Sequence, residues 1–279
     1  MTSGAQVVVS VLLGFVLCWV GKLAYGLFHP RTRLDVEVAA KDNLAFAVPL
    51  GAYYLGILIV MGAPLSGQAR GGVVQDSLSV VGWGVLAVAF LNLGSLVKRK
   101  ILFRELDLYG EILARKNVAA GILAGGFHIA NALLILGALG DEGGLLPAAV
   151  FWLYAQVLLA LAAAVFLRLT HENLTAEIRR RNQAVALSLA GVLVAMGNVL
   201  RLAVSGPFEG WGAGLASATG YALAGLAILF AARWLFDWLL LPGVTIRHEI
   251  LEQEVPNTGV GYLEALIYLG SSFLIAWAL

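Results

Sequence analysis

Four side chains sit where an apolar sequence should not carry them. Glu264, Lys22, His128 and Asn131 each interrupt a helix-length run of hydrophobic residues. Ionisable groups at bilayer depth are expensive, so each marks a candidate for an ion path, a proton relay or a buried pair. Glu264 and Lys22 lie seven residues from the same end of their runs, about 10 Å deep at the rise of an α-helix. At equal depth they can pair and tie the first helix to the last. Alternatively Lys22 snorkels to the interface and Glu264 sits neutral. His128 and Asn131, three residues apart near the middle of one run, share a helix face. With Glu264 they could line a path for a small cation. With the other amides, Asn92, Gln156 and Asn198, they could instead hydrogen-bond between helices. Arg233 and Asp237 have the spacing of a pair on one helix face, with Trp234 and Trp238 beside them as an interfacial anchor.

Other chemistries find no support. A membrane haem often takes two histidines on helices, whereas His29, His171 and His248 fall in or beside charged linkers and only His128 lies in a span. There is no metalloprotease helix, phosphate loop or nucleophile elbow. The single cysteine, Cys18, allows no intrachain disulfide. The expectation is a protein without catalytic residues, metal or cofactor, and not an enzyme. The net charge of +1 gives no global field toward nucleic acid.

The elements that position these residues follow from composition. Of 279 residues, 60% are hydrophobic and 13% charged, too apolar for a water-soluble core, where about 25% would be charged. Eight runs can cross a bilayer, over about 5–28, 44–64, 77–97, 118–139, 145–169, 183–204, 212–241 and 258–279, each near the ~20 residues a span needs. The first has no basic residue ahead of it and is expected to be a retained span, not a secretory signal. Fourteen of the eighteen Lys and Arg follow spans one, three, five and seven or, as Arg168 does, end one of them. Basic loops stay inside, so both termini should face outward, with basic linkers in the cytoplasm and turn-rich loops outside (Ser66-Gly67, Gly140 to Gly144, Ser205-Gly206-Pro207).

The chain therefore reads as an all-α polytopic membrane protein, eight transmembrane helices in four repeated two-helix hairpins. These divide into a first four-helix repeat, 1–140, and a second, 141–279. Asn43, Asn117, Asn182 and Asn257 head the even-numbered spans, 74, 65 and 75 residues apart, the pattern of two rounds of duplication. As helix N-caps each satisfies an otherwise unpaired backbone N–H. Four and eight residues on come Ala47 and Gly51, Gly121 and Gly125, Ala186 and Ala190, Gly261 and Ala265. These small pairs should mark where the even helices pack closely, because lipid gives no hydrophobic drive for helix association. In the second linker, Ile101, Leu102, Leu106, Leu108, Tyr109, Ile112 and Leu113 suggest a helix lying in the interface. Before the asparagines stand Glu37, Glu111, Glu177 and Glu252, either a solvated acidic face or a ring that attracts cations.

The stretches DNLAFAVPLGAYYLGILIVMG, EILARKNVAAGILAGGFHIANALLILGAL, EIRRRNQAVALSLAGVLVAMGNVL and NTGVGYLEALIYLGSSFLIAWAL resemble the Asn-headed second helix of YjfL-type bacterial inner-membrane proteins, the domain of unknown function family 350. A typical member is two hairpins, so the resemblance implies a doubled form. Glu264 matches an acidic residue of the family's closing helix, and its counterparts here are Leu50, Ala124 and Leu189, so any role for it belongs to the last hairpin.

The resemblance also implies an inner-membrane location and a link to phage-shock-type stress proteins or polyamine metabolism. The expected function is a non-enzymatic component of a membrane-stress system. The alternative is a channel or carrier for a small cation or polyamine. The bilayer is the expected partner, with a cytoplasmic stress protein as a candidate second one and a homo-oligomer left open.

Overall fold

The structure, a computed structural model, describes residues 4–30, 32–66, 73–98, 103–139, 144–170, 173–205, 210–240 and 243–278. Arg31, Arg70, Arg99, Lys100, Ile101, Leu102 and His171, with the turn residues 67, 140–143 and 206–207, lie outside them. Among the described residues there is no strand, and eight helices are long and apolar enough to cross a membrane. They are α1 (Gly4–Phe28), α2 (Leu44–Val60, extended by the short α3, Gly62–Ser66), α4 (Val73–Val97), α6 (Val118–Leu139), α7 (Leu145–Thr170), α9 (Gln183–Val204), α10 (Trp211–Leu240) and α11 (Thr258–Ala278). The linkers between them carry α5 (Leu108–Leu113), α8 (Leu174–Arg179) and two π-helical turns, Val36–Ala40 and His248–Glu252. All four linkers lie on one side of the bundle.

The four Asn-headed helices form a single row, α2–α6–α9–α11, through the most extensive contacts in the molecule. Small residues set the spacing. Gly121 lies under the Ala45 carbonyl, and a Cβ on Gly261 would sit 2.5 Å from the Ala184 carbonyl oxygen. Gly126 faces Ala190, Gly191 faces Ala265 and Gly197 faces Ala130. With Gly125 on Ala52 and Gly56 on Ala132, these contacts set residues two, nine and thirteen after the Asn of the earlier helix against residues four, eight and fifteen after that of the later one. Backbones that approach this closely gain dispersion contacts that lipid cannot match. The small pair of the first copy, Ala47 and Gly51, has no earlier helix to meet, and Gly51 faces open space.

The remaining spans flank this row: α4 on α1 and α6, α7 on α6 and α9, α10 on α9 and α11. In α6 and α9, 72% of the most apolar window is buried, against 17% in α1, so the middle of the row is the core and α1 is periphery. Because α6 and α9 pack so closely, the two four-helix halves share one hydrophobic cluster, running from Leu17 to Tyr268.

The second linker departs from the expected interfacial helix. Asp107 accepts from Gly110 N at 3.1 Å and starts α5 late, so the helix has only six residues. Phe103, Leu106, Leu108 and Ile112 are buried. The apolar face turns into the bundle and not along a membrane surface.

Gly261→Ala is expected to destabilise the protein by about 1–3 kcal/mol, as overpacked sites do. Gly220→Ala, on the exposed face of α10 with nothing within 4 Å, should be neutral or slightly stabilising. Unfolding of both variants in detergent measures the difference.

Candidate functional site

Each linker closes on its asparagine by the same four bonds. The Asn backbone N–H returns to a glutamate carbonyl: Asn43 to Glu37, Asn117 to Glu111, Asn182 to Glu177, Asn257 to Glu249, at 2.8–3.0 Å. The Asn Nδ2 donates to the carboxylate of that glutamate, at 3.2, 2.8, 2.8 and 2.8 Å. The Asn Oδ1 caps the helix it heads, accepting from Phe46, Ala119, Val185 and Val260 N. The second carboxylate oxygen takes Lys41, Arg115, Arg180 or Gln253. Through this hydrogen bond Lys41 holds the Glu37 carboxyl below the usual range, against the opposing effect of burial. Asp42, Lys116 and Arg181, each just before its Asn, turn the chain with positive φ.

The fourth glutamate differs from the expectation. Glu249, not Glu252, makes the bracket, while Glu252 is exposed and pairs with Arg247 and His248. The last linker is longer: eight residues separate Glu249 from Asn257, against six, six and five in the others. Its Pro256 cannot adopt the positive φ used by the other three. The signal in the sequence was the residue after the glutamate, since Glu111, Glu177 and Glu249 are each followed by Ile and Glu37 by Val.

The brackets join into a relay. The second Nδ2 hydrogen of each Asn goes to the next linker: Asn43 to the Ile112 carbonyl at 3.1 Å, Asn117 to Ile178 at 2.6 Å, Asn182 to Ile250 at 2.8 Å. Lys116 and Arg181 reach back to the carbonyls of Lys41 and Arg115. Asn257 has no following linker. It is exposed where the other three are buried.

The polar residues inside the spans do not form the expected cluster. Glu264 is not paired with Lys22. It accepts from Arg233 at 2.5 Å and from Tyr268 at 2.6 Å. The row places α1 and α11 at opposite ends, and Lys22 is exposed on α1. Asn131 accepts from Trp152 and Gln156, binding α6 to α7. His128, on the same helix, turns to Lys98 and Tyr53. Asn92 donates to Tyr53, which donates to the Gly21 carbonyl. Asn198 binds Ser272. Asp237 accepts from Ile246 N. Each of these ties helices together, and Glu264, on α11, shares no bonding partner with His128 or Asn131, on α6.

A cavity of about 850 Å³ opens among α1, α2, α4, α5 and α6 near their linker ends. Lys98 lines it, with its Nζ 3.4 Å from His128 Nε2 and 5.6 Å from the centre of the Phe127 ring. His128 is 4% exposed, and its Nδ1 has no partner among the described residues. Tyr25 and Tyr109 stack on either side of His29 in the same wall. Burial pushes the Lys98 ammonium down to about 8. Sequence reasoning missed Lys98 as a site residue, because it stands in a basic cluster that looks purely topogenic.

Eight apolar helices with all linkers on one side define a polytopic α-helical membrane protein. The chain belongs to the family described as Domain of Unknown Function (DUF350), which it matches twice, over residues 1–139 and 142–279. It is 23% identical over 254 residues to a UPF0719 transmembrane protein of Aquifex aeolicus (strain VF5), covering 89% of this chain and 90% of that one. It is 28% identical over 135 residues to the UPF0719 transmembrane protein YshE of Bacillus subtilis (strain 168), covering 48% of this chain and 94% of that one. No solved structure matches.

Asn182→Ala removes a cap and leaves the Glu177 carboxylate and Ile250 carbonyl short of a donor. It should cost about 2–4 kcal/mol. The same change at the exposed Asn257, which serves no onward linker, should cost about 1 kcal/mol. Denaturation of the two variants in one detergent gives the comparison.

Lys98 makes stability depend on pH. Its folded pKa, about 8, lies below the ordinary 10.5, so between these values the unfolded chain binds more protons and stability rises with pH. Melting points taken between about pH 7.5 and about pH 9.5 should rise more in the wild type than in Lys98→Met.

Proposed function

We propose that this protein is a non-enzymatic scaffold of the bacterial inner membrane, with termini outside and basic linkers in the cytoplasm. It extends by adding copies side by side and offers its linker face to a soluble partner. The observation that carries this reading is the open end of the relay. Asn257 has an amide hydrogen with no onward acceptor among the described residues. At the other end of the row stands the carbonyl of Val38, the residue after Glu37, in the position that Ile112, Ile178 and Ile250 occupy in the other linkers. Gly270, thirteen residues after Asn257, is exposed with nothing within 4 Å, as is Gly51, eight after Asn43. In the internal register Gly270 of one copy meets Leu58 of the next, and Leu266 covers the bare backbone of Gly51. The relative that matches about half of this chain adds support, since in a protein of that length the contact between α6 and α9 could form only between two copies. The junction lacks one strut, because Asp42 stands where Lys116 and Arg181 reach back to the preceding linker; Pro256 leaves the α9–α11 contact without it as well, so association is weaker than across the first two internal contacts.

A place in a membrane-stress system tied to phage-shock-type proteins or polyamine metabolism rests on the family resemblance. The basic linkers suit an acidic partner surface. The alternative, a channel or carrier for a small cation or polyamine, would use Glu264, His128 and Asn131. Their separation in the fold favours the scaffold.

Cysteine cross-linking in liposomes tests the reading. In a Cys18→Ser background, Leu58→Cys with Gly270→Cys should give dimers and higher ladders. The lipid-facing pair Trp19→Cys with Leu223→Cys should not. Equal or absent cross-linking would refute the register. In the same vesicles potassium and spermidine should leak no faster than from protein-free controls. A flux that Glu264→Gln abolishes would favour the channel.

A further inference from the structure

We infer that the cavity beside α4 binds the oxyanion head of an acidic amphiphile drawn from the membrane, a phospholipid phosphate or a fatty-acid carboxylate, against Lys98 and His128. The two halves of the chain show why. Counting from Asn117 and Asn257, Ala124 corresponds to Glu264 and His128 to Tyr268. In the second half, the cation Arg233 comes from the preceding span, lies 5.6 Å from the centre of the Phe166 ring and meets the Glu264 carboxylate, which also takes the Tyr268 hydroxyl. In the first half, the cation Lys98 follows the preceding span, lies at the same distance from the Phe127 ring and meets His128. The carboxylate is missing. Ala124 stands in its place, and a cavity of about 850 Å³ lies against it. Among the described residues no carboxylate lies within ion-pair distance of Lys98. Counted back from the same asparagines, Arg233 aligns with Leu93 and Lys98 with Trp238, so the two cations reach comparable ring contacts from different positions, and the first half keeps a cation beside a cavity where the second has Glu264.

The rest of the cavity fits an amphiphile better than a bare ion. Lys98, Arg104 and Arg179 outnumber Glu105 and Asp107 in its lining, and Asp107 is already engaged as the cap of α5. The Lys98 ammonium has three donors and spends one on His128. The unpaired His128 Nδ1 is a second polar group, buried at the same wall. Phe28, Phe46, Pro49, Leu96 and Leu106 supply apolar surface around this head site. An inorganic anion alone would leave that surface and most of the volume unfilled, whereas an acyl chain covers it. The location near the linker ends of the spans places the head where lipid headgroups lie. This inference uses none of the contacts behind the side-by-side assembly, so either can fail alone.

The test is native mass spectrometry of the full chain released from phosphatidylcholine nanodiscs doped with phosphatidylglycerol or with oleate. The wild type should retain one acidic amphiphile at least tenfold more tightly than Lys98→Gln or Ala124→Glu, the second of which supplies the missing carboxylate from within. Melting in detergent shows whether Ala124→Glu is folded, and Lys98→Gln gives the same readout if it is not. Preference for phosphatidylglycerol assigns a phosphate head, and preference for oleate a carboxylate; either supports the site. Equal retention by the wild type and both variants, no retention by the wild type, or equally tight binding of inorganic phosphate alone would overturn it.

Discussion

One side-chain amide carries the architecture. An asparagine at the head of a membrane helix must leave no backbone donor stranded where water is scarce. Here it caps its own helix with Oδ1, clasps a glutamate with one N–H, and gives the other N–H to the following linker. Bonds to a carboxylate are worth about 1.5–3 kcal/mol each, more than neutral ones. Three such amides, buried to within 3% of full occlusion, lock four linkers into one belt. Glutamate is required as much as asparagine, because the linker must turn back sharply before each even helix and the carboxylate collects both the amide and the neighbouring cation.

Once the belt sets the register of helix starts, close packing sets the rest. Gly and Ala at fixed distances from each asparagine meet their counterparts on the next helix, so the row repeats by one rule at every step. A rule of this kind has no built-in stop. Within the chain it runs from α2 to α11, where Gly51 and Gly270 face open space. The α6–α9 contact that joins the two family units is as intimate as any within a unit.

Repetition also shows where the copies diverged. The buried cation of the second half is neutralised by Glu264, whereas that of the first half faces Ala124 and a cavity. An ammonium held against a low-dielectric wall without a counter-ion is unfavourable. The divergence leaves a closed strut near α11 and an open, basic pocket near α1.

The fold class was legible in the sequence because each of its signals is local. Hydrophobic runs of span length, the recurrence of Asn43, Asn117, Asn182 and Asn257, and the small residues that follow them need no knowledge of the neighbouring helix. The cap bonds are local too. Pairings between spans were not legible, because depth along a helix says nothing about position across the bundle. Lys22 and Glu264 share a depth, yet the order of the row separates them, while Arg233, which local spacing matched to Asp237, reaches Glu264. The choice of Glu249 over Glu252 turned on how a longer linker folds back past Pro256. The cavity itself exists only because Lys98 and His128, thirty residues apart in the chain, line the same wall. Chain-local chemistry determined the membrane helices and their heads. The packing order of those helices, decided by backbone approach in three dimensions, determined which polar groups meet and which one is left without an anion.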